Sequence, residues 1–418
     1  MPVEYDRVSQ PAKTRNRHVL LLADDLTKEG GIRSRVFGEA SVARRYVDLD
    51  IIVKTRAVNL RLSEETRRKT KHDFPEAELS YIPSLPHHGL PLLKEFFFIA
   101  NVLMLIVGGL FRICAKRPCA IYAHNLECSI AAEVLGHVAQ LPVTCDFHGD
   151  EIEEASAELG WPENGFRIRF WRHVMMAVIS RSAYVVCVSN MHRLHFETAY
   201  GRKKATTVIP CCTDILPSGG GDIPRSTGRS SLKKHRVELL YSGSASRYQL
   251  IEKMIQFNSS LNDSGVQSLL RLLISDPDSI EEVKKKAGGP YGRLTNALSV
   301  AHNDVASFGS KADFGLLFRG NEIFNRISSP TKFAEYMAMG LPVLITPCVG
   351  DYSAAVRTEK LGGTIDLERI HESGYAKSII QPLLEDTEIR NRCRSFAESH
   401  LTWKAHEADV LKAFHAFQ

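Results

Sequence analysis

HVLLLADDLTKEGGIRSR, residues 18–35, is an unbroken apolar run closed by two carboxylates, a glycine pair and a basic stretch. Apolar residues without alternation read as a strand covered on both faces, and the glycines mark the turn into a helix reaching about Tyr46. Runs of the same kind recur at LDIIVKT (49–55), AIYAHN (120–125), PVTCDFHG (142–149) and YVVCVSN (184–190). Each is followed by a loop and a helical stretch, the alternation of a doubly wound parallel α/β domain.

The alternation stops at TDILPSGGGDIPRSTGRSSLKKHR (213–236), which is rich in Gly, Ser, Pro and basic residues and has little to bury. It restarts with VELLYSG (237–243) and continues through LLRLLISD, ALSVAHN, ADFGLLFR and LPVLIT. A chain of 418 residues is too long for one core. The expected organisation is therefore two Rossmann-like doubly wound parallel-sheet domains facing a cleft: 1–214, a linker at 215–236, and 237–400. The helical tail 401–418, with Val410, Leu411, Phe414 and Phe417 on one face, is expected to cross back to the first domain.

Composition narrows the function classes. With 44% hydrophobic and 24% charged residues the chain is neither fibre nor disordered tail. A net charge of +5 suits anionic ligands or an anionic membrane surface but is too small to argue for nucleic acid. Nine cysteines, an odd number without a CxxC pair, read as reduced thiols of a cytoplasmic protein, and the adjacent Cys211 and Cys212 read as packing. The polar N-terminus MPVEYDRVSQPAKTRNRH has no secretory apolar segment. The run from Phe96 to Phe111 is apolar apart from Asn101. It is short for a span and reads as a core helix, with a monotopic helix flanked by Lys94, Arg112, Lys116 and Arg117 as the other reading. In the second reading the protein is peripheral at the inner face of the membrane.

The stretch SSPTKFAEYMAMGLPVLIT (328–346) carries the chemistry. Ser329 is expected to cap a helix that opens at Pro330 and stops at Gly340. The N–H groups of Ser328, Ser329 and the first turn would then offer an anion site suited to a diphosphate, with Lys332 beside it. Glu335, one turn further in, can accept two hydrogen bonds from a cis-diol such as a ribose. Taken alone, it reads first as a solvated helix glutamate above an ordinary serine cap.

PTKFAEYMAMGLPVLIT resembles the donor-binding signature of family 4 (group 1) retaining glycosyltransferases, which have the two-Rossmann-domain GT-B fold. GGIRSR, FHGDEIEE, VVCVSNMHRLH, VIPCCTD, LLYSGSASRYQ and ADFGLLFRGNE follow in the order that family has, over most of the chain. The resemblance implies transfer of a sugar, of the hexosyl type, from a nucleotide-sugar donor to a glycan or lipid-linked acceptor with retention, in cell-surface polysaccharide synthesis. No cofactor or metal is implied, because cations and helix N–H groups stabilise the leaving diphosphate.

Residue by residue, the resemblance places Gly30 and Gly31 near the donor diphosphate and acceptor, and His148 near the reacting sugar. Ser189 would face the same cleft, although a helix N-cap reads equally well there. Gly243, Ser244, Arg247 and Arg319 join Ser328, Ser329, Lys332 and Glu335 in binding the donor. The chain departs from the signature in two places. Ile327 stands where a sugar-binding glutamate is expected, so Glu322 or Asn325 of the preceding loop would have to supply that contact. SGSASRYQ lacks the usual arginine and lysine, which leaves Arg247, Arg319 and Lys332 as the available cations. A nucleotide-sugar 2-epimerase of the same fold and a non-catalytic divergent member are the alternative readings.

Overall fold

A computed structural model of the protein describes residues 17–26, 31–56, 78–85, 91–202, 205–213, 236–274, 278–287, 294–300 and 304–415. Two parallel sheets organise the chain. The first has the order β3-β2-β1-β4-β5-β6-β7, with β1 His18–Ala23, β2 Asp48–Arg56, β3 Glu78–Ser84, β4 Ala120–His124, β5 Val143–Phe147, β6 Tyr184–Cys187 and β7 Thr206–Val208. The second has the order β10-β9-β8-β11-β12-β13, with β8 Val237–Ser242, β9 Ser268–Leu273, β10 Thr295–Leu298, β11 Phe314–Leu317, β12 Val343–Ile345 and β13 Gly362–Thr364. β1 runs parallel to β2 from His18 opposite Asp48 to Ala23 opposite Val53. Strand order reverses beside β1 in one sheet and beside β8 in the other, the two switch points where open α/β sheets accept ligands.

The chain divides into two compact units. One is Met1–Asp146 with Ala177–Val186 and Glu407–Gln418; the other is Phe147–Met176 with Cys187–His406. Of the stretch read as a linker, 215–236, only Arg236 lies within the described residues. The second unit buries side chains on both faces of its sheet, as parallel strands require. Leu239, Tyr241, Leu270, Phe314 and Leu316 belong to one apolar layer, and Leu240, Leu317, Phe333, Tyr336 and Val343 to the other.

In the first unit the helix Gly31–Ala43 and the ends of β4 and β5 enclose a group of polar side chains inside the apolar core. Arg35 forks the Asp146 carboxylate at 2.7 and 2.9 Å and lies 3.1 Å from Glu39. The Tyr122 hydroxyl donates to Glu39 at 2.9 Å, and His124 Nδ1 lies 3.0 Å from Asp146. All five side chains are buried. Burial pushes the Glu39 carboxyl up to about 8, against the pull of Arg35. The C-terminal helix Glu407–Ala413 closes this unit. Phe414 stacks on Tyr122 at 4.1 Å, and the Thr144 hydroxyl donates to the Ala413 carbonyl at 2.7 Å.

The apolar run at 96–111 lies within one helix, Pro91–Lys116, between β3 and β4. It is not a core helix. Asn101, Val102 and Leu105 are buried, but Phe96, Ile99, Leu103, Val107, Leu110 and Phe111 are exposed. Of the expected basic flanks, Arg112 forks Asp50 at 2.6 and 2.7 Å and reaches Glu78 at 2.8 Å. Lys116 lies 2.7 Å from the same glutamate.

Candidate functional site

The second unit gathers most of the candidate residues at the carboxyl ends of β8 and β11, the strands that flank its switch point. β8 ends at Ser242, and Gly243 follows with φ +145°. A Cβ at Gly243 would lie 2.7 Å from Lys332 Nζ and 3.1 Å from the Tyr241 hydroxyl, so a bare backbone is what lets the ammonium approach. Lys332 Nζ donates to Gln249 at 2.9 Å and to the Tyr241 hydroxyl at 3.1 Å. It also sits 4.3 Å from the centroid of the Tyr241 ring.

Arg319, two residues beyond β11, is the second cation, and only 8% of its surface is exposed. Its guanidinium lies 4.5 Å from the Tyr248 ring centroid and donates to Asn325 Oδ1 at 3.2 Å. Its Nε has no hydrogen-bond partner among the described residues. Burial lowers the Arg319 guanidinium from its usual value, opposed by Tyr248, Tyr241 and Glu154. Burial and then the Arg319 charge push the Lys332 ammonium well down, and Glu335 pulls it back. The Arg319 charge works against that of the half-buried Lys332, an unfavourable arrangement that an anion would relieve.

The helix Thr331–Ala338 supplies Lys332 and, one turn later, the half-buried Glu335. Pro330, not Ser329, is its N-cap, and no side chain caps it. The Ser329 hydroxyl instead accepts from the Cys211 amide at 2.9 Å and pairs with the Tyr352 hydroxyl at 2.7 Å. Both the amide and the hydroxyl of Ser328 donate to the Asn325 carbonyl, at 3.2 and 2.8 Å. The two serines thus brace the turn, and the anion-facing groups of this segment reduce to the first-turn N–H groups and Lys332. The helix stops as expected. Gly340 has φ +66°, and its N–H and that of Leu341 bond the Met337 and Tyr336 carbonyls at 2.9 and 2.8 Å, which makes a Schellman closure.

Ile327 is 1% exposed, so its side chain faces the core. Its carbonyl accepts the Ser189 hydroxyl at 2.6 Å. Ser189 also caps the helix Asn190–Ala199, accepting from the His192 amide at 2.9 Å. Asn325 turns inward, fully buried, with its amide nitrogen donating to Glu322 at 2.8 Å. Glu322 is exposed and Asn325 contacts Arg319, so a polar chain Arg319–Asn325–Glu322 occupies the loop that precedes Ile327. Ser244 is exposed and pairs with Ser246 at 2.9 Å. Arg247 is exposed on the one-turn helix Arg247–Gln249.

His148 is half-buried in the turn after β5. Asp150, two residues on, fixes that turn from behind. It is buried, accepts from the amides of Ile152 and Glu153 at 3.0 and 3.2 Å, and takes Tyr200 Oη at 2.6 Å and His195 Nε2 at 2.8 Å. Burial alone would raise its carboxyl, but the bonds from His195 and Tyr200 hold it below the usual value. Glu154, on the helix Glu151–Leu159, is raised by burial and by Glu158, and the Arg319 charge offsets part of this. Gly31 opens the helix Gly31–Ala43 in the other unit, and Gly30 lies outside the described residues.

Sequence reasoning missed Tyr241 and Glu154. Tyr241 reads as one more apolar strand residue, and nothing near Glu154 in sequence announces its charge partner Arg319. Asp351 was also missed; it accepts from the backbone N–H groups of Asn190 and Met191 at 2.7 and 3.1 Å, at the start of the helix Ser189 caps.

No family model and no curated sequence matches the chain. Solved structures do. The chain is similar to a sucrose-phosphate synthase from Thermosynechococcus elongatus at 17% identity and TM-score 0.72, covering 96% of this chain and 98% of that one. It is similar to HepE of Anabaena, solved with UDP, at 14% identity and TM-score 0.68, covering 96% of this chain and all of that one. It also resembles WaaG, a glycosyltransferase of lipopolysaccharide biosynthesis, at 16% identity and TM-score 0.61, covering 95% and 99%. At these identities the likeness establishes the fold: two Rossmann-like parallel-sheet domains of the GT-B type.

Proposed function

We propose that the protein is a glycosyltransferase that binds a nucleoside diphosphate sugar at the β8/β11 switch point and transfers the sugar with retention to a glycan or lipid-linked acceptor in cell-surface polysaccharide synthesis. The observation that carries this reading is the presence of two cations, the buried Arg319 and the half-buried Lys332, beside the start of the helix Thr331–Ala338. A diphosphate there would replace the tyrosine rings and neutral acceptors with full charge partners, and it would draw the first-turn N–H groups into the same site. Glu335, on the same helix, is assigned to the ribose hydroxyls. HepE solved with UDP or UDP-glucose, and the trehalose-6-phosphate structure solved with UDP-2-fluoro glucose, make a uridine nucleotide the first donor to test.

In this reading the protein contributes position and electrostatics. As the glycosidic bond breaks, negative charge grows on the leaving diphosphate, where Lys332 and Arg319 meet it without a metal ion. The acceptor attacks from the same face, and the leaving phosphate takes its proton. His148, at the carboxyl end of β5, is assigned to a sugar or acceptor hydroxyl. Glu322, joined to Arg319 through Asn325, is assigned to the polar contact that Ile327 cannot make. A membrane surface is the proposed place of encounter with a lipid-linked acceptor.

Calorimetric titration with uridine, guanosine and adenosine diphosphates tests the donor site. One nucleotide should bind, and Lys332→Met and Glu335→Ala should each weaken it about tenfold or more with the fold intact. Unchanged affinity in both variants would refute the assignment. Incubating the nucleotide sugar without acceptor and examining the sugar by NMR separates the epimerase, which would return a 2-epimer.

A further inference from the structure

The helix Pro91–Lys116 is the longest among the described residues, and by length and composition it could cross a membrane. Its inner side is tied to the first unit along its length. Asn101 exchanges two hydrogen bonds with the Leu85 backbone, at 2.7 and 3.2 Å, and Leu105 is buried. Gly108 and Gly109 bring the helix backbone against Ile82 and Leu135, and Arg112 and Lys116 hold Asp50 and Glu78. β3 and β4, on either side of the helix in sequence, belong to one sheet, so this fold leaves no way for it to span a bilayer.

The outer side is a continuous apolar stripe. Phe96 (62% exposed), Ile99, Leu103 (57%), Val107, Leu110 and Phe111 (73%) fall on one face, over roughly 22 Å of helix. The neighbouring helix Asn125–Ala139 exposes Val134 and Val138. The stripe is one helix wide and shows roughly 600 Å² of apolar surface, less than the about 800 Å² per partner of a stable protein interface. No charged or hydrogen-bonding side chain interrupts it to fix the register of a protein partner. Arg112 and Lys116 face two carboxylates, which cancel their charge, so among the described residues of this helix and its end the remaining cations flanking the stripe are Lys94, beside Glu95, and Arg117, at opposite ends.

We propose that this stripe lies in the plane of a lipid bilayer at headgroup depth, held by apolar insertion and not by attraction to anionic lipid. The proposal deepens the reading of a membrane-borne acceptor and takes only its biological purpose from that reading.

Flotation of the full chain with vesicles tests it. The protein should float with pure phosphatidylcholine vesicles, and its affinity should change less than about twofold between about 0.1 and about 0.5 M salt. Adding phosphatidylglycerol should gain little. The double variant Leu103→Glu and Val107→Glu should lose at least about tenfold, and Arg117→Glu should bind as the parent does. Because a variant can fail through misfolding, Leu103→Trp in the otherwise native protein gives a second reading: its added fluorescence should shift to the blue and be quenched by brominated lipid. Binding only to anionic vesicles, binding lost in salt, no binding to any vesicle, or a lipid-free dimer that the double variant abolishes would each overturn the proposal. Nucleoside diphosphate titration of the same preparations reads the donor site separately, so failure of the membrane surface and failure of the proposed activity give different results.

Discussion

Replacing Glu39 with Gln should change how the first unit's stability depends on pH. In the folded protein the carboxyl holds its proton to about 8, against an ordinary 4.5. Between those values the native state binds a proton that the unfolded chain has lost. Stability therefore falls as pH rises through the window, by about 1.4 kcal/mol per unit, and is level below about 4.5 and above about 8. From pH 5 to pH 8 the loss works out at about 3.5 kcal/mol. Glutamine keeps an oxygen for the Tyr122 hydroxyl and removes the titration, although Arg35, His124 and Asp146 still face the site. The variant should be within about 1 kcal/mol of the parent at pH 5 and more stable by about 3 kcal/mol at pH 8. Native-state hydrogen exchange of the β4 amides, corrected for the intrinsic rate at each pH, measures that opening free energy. If the parent and variant values run parallel from pH 5 to pH 8, Glu39 does not hold its proton in the folded state.

Gly243→Ala should weaken nucleotide binding several-fold with little loss of fold, because the new methyl would sit 2.7 Å from Lys332 Nζ at a φ of +145°; titration calorimetry reads it. Asp150→Asn should cost about 1–3 kcal/mol and loosen the turn that carries His148, lowering turnover more than donor affinity. Because the folded Asp150 carboxyl lies below its ordinary value, its contribution is present near neutral pH and lost as pH falls through the folded value. Leu105→Ala, on the buried side of the long helix, should cost about 2–5 kcal/mol in chemical denaturation. Changes at the exposed Leu103 should cost far less.

The two sheets were legible because their strands are covered on both faces and so appear as mostly apolar runs, as at Val19–Ala23 and, broken by Glu238 alone, at Val237–Tyr241. β3 was not read. ELSYIPS alternates polar residues and carries Pro83, the mark of an edge strand, and β7 and β13 have only three residues each. The long helix shows the limit of composition. Its inner and outer residues are equally apolar, so only the fold reveals which side the sheet covers. In the candidate site the types of Lys332, Arg319 and Glu335 were legible. The tyrosine rings under both cations and the use of Ser329 as a brace were not, because those contacts join segments distant in sequence. The cluster around Glu39 was invisible for the same reason: its members lie at 35, 39, 122, 124 and 146.

Position 327 now works through its backbone. The Ser189 hydroxyl holds the Ile327 carbonyl while the side chain fills the interior. A glutamate placed there would meet no water, and the loop before it is already occupied by Asn325 and Glu322 bridging to Arg319. An acidic side chain at this position would therefore require re-laying the loop and the core together. Ile327→Val, in contrast, should cost only about 0.5–1.5 kcal/mol.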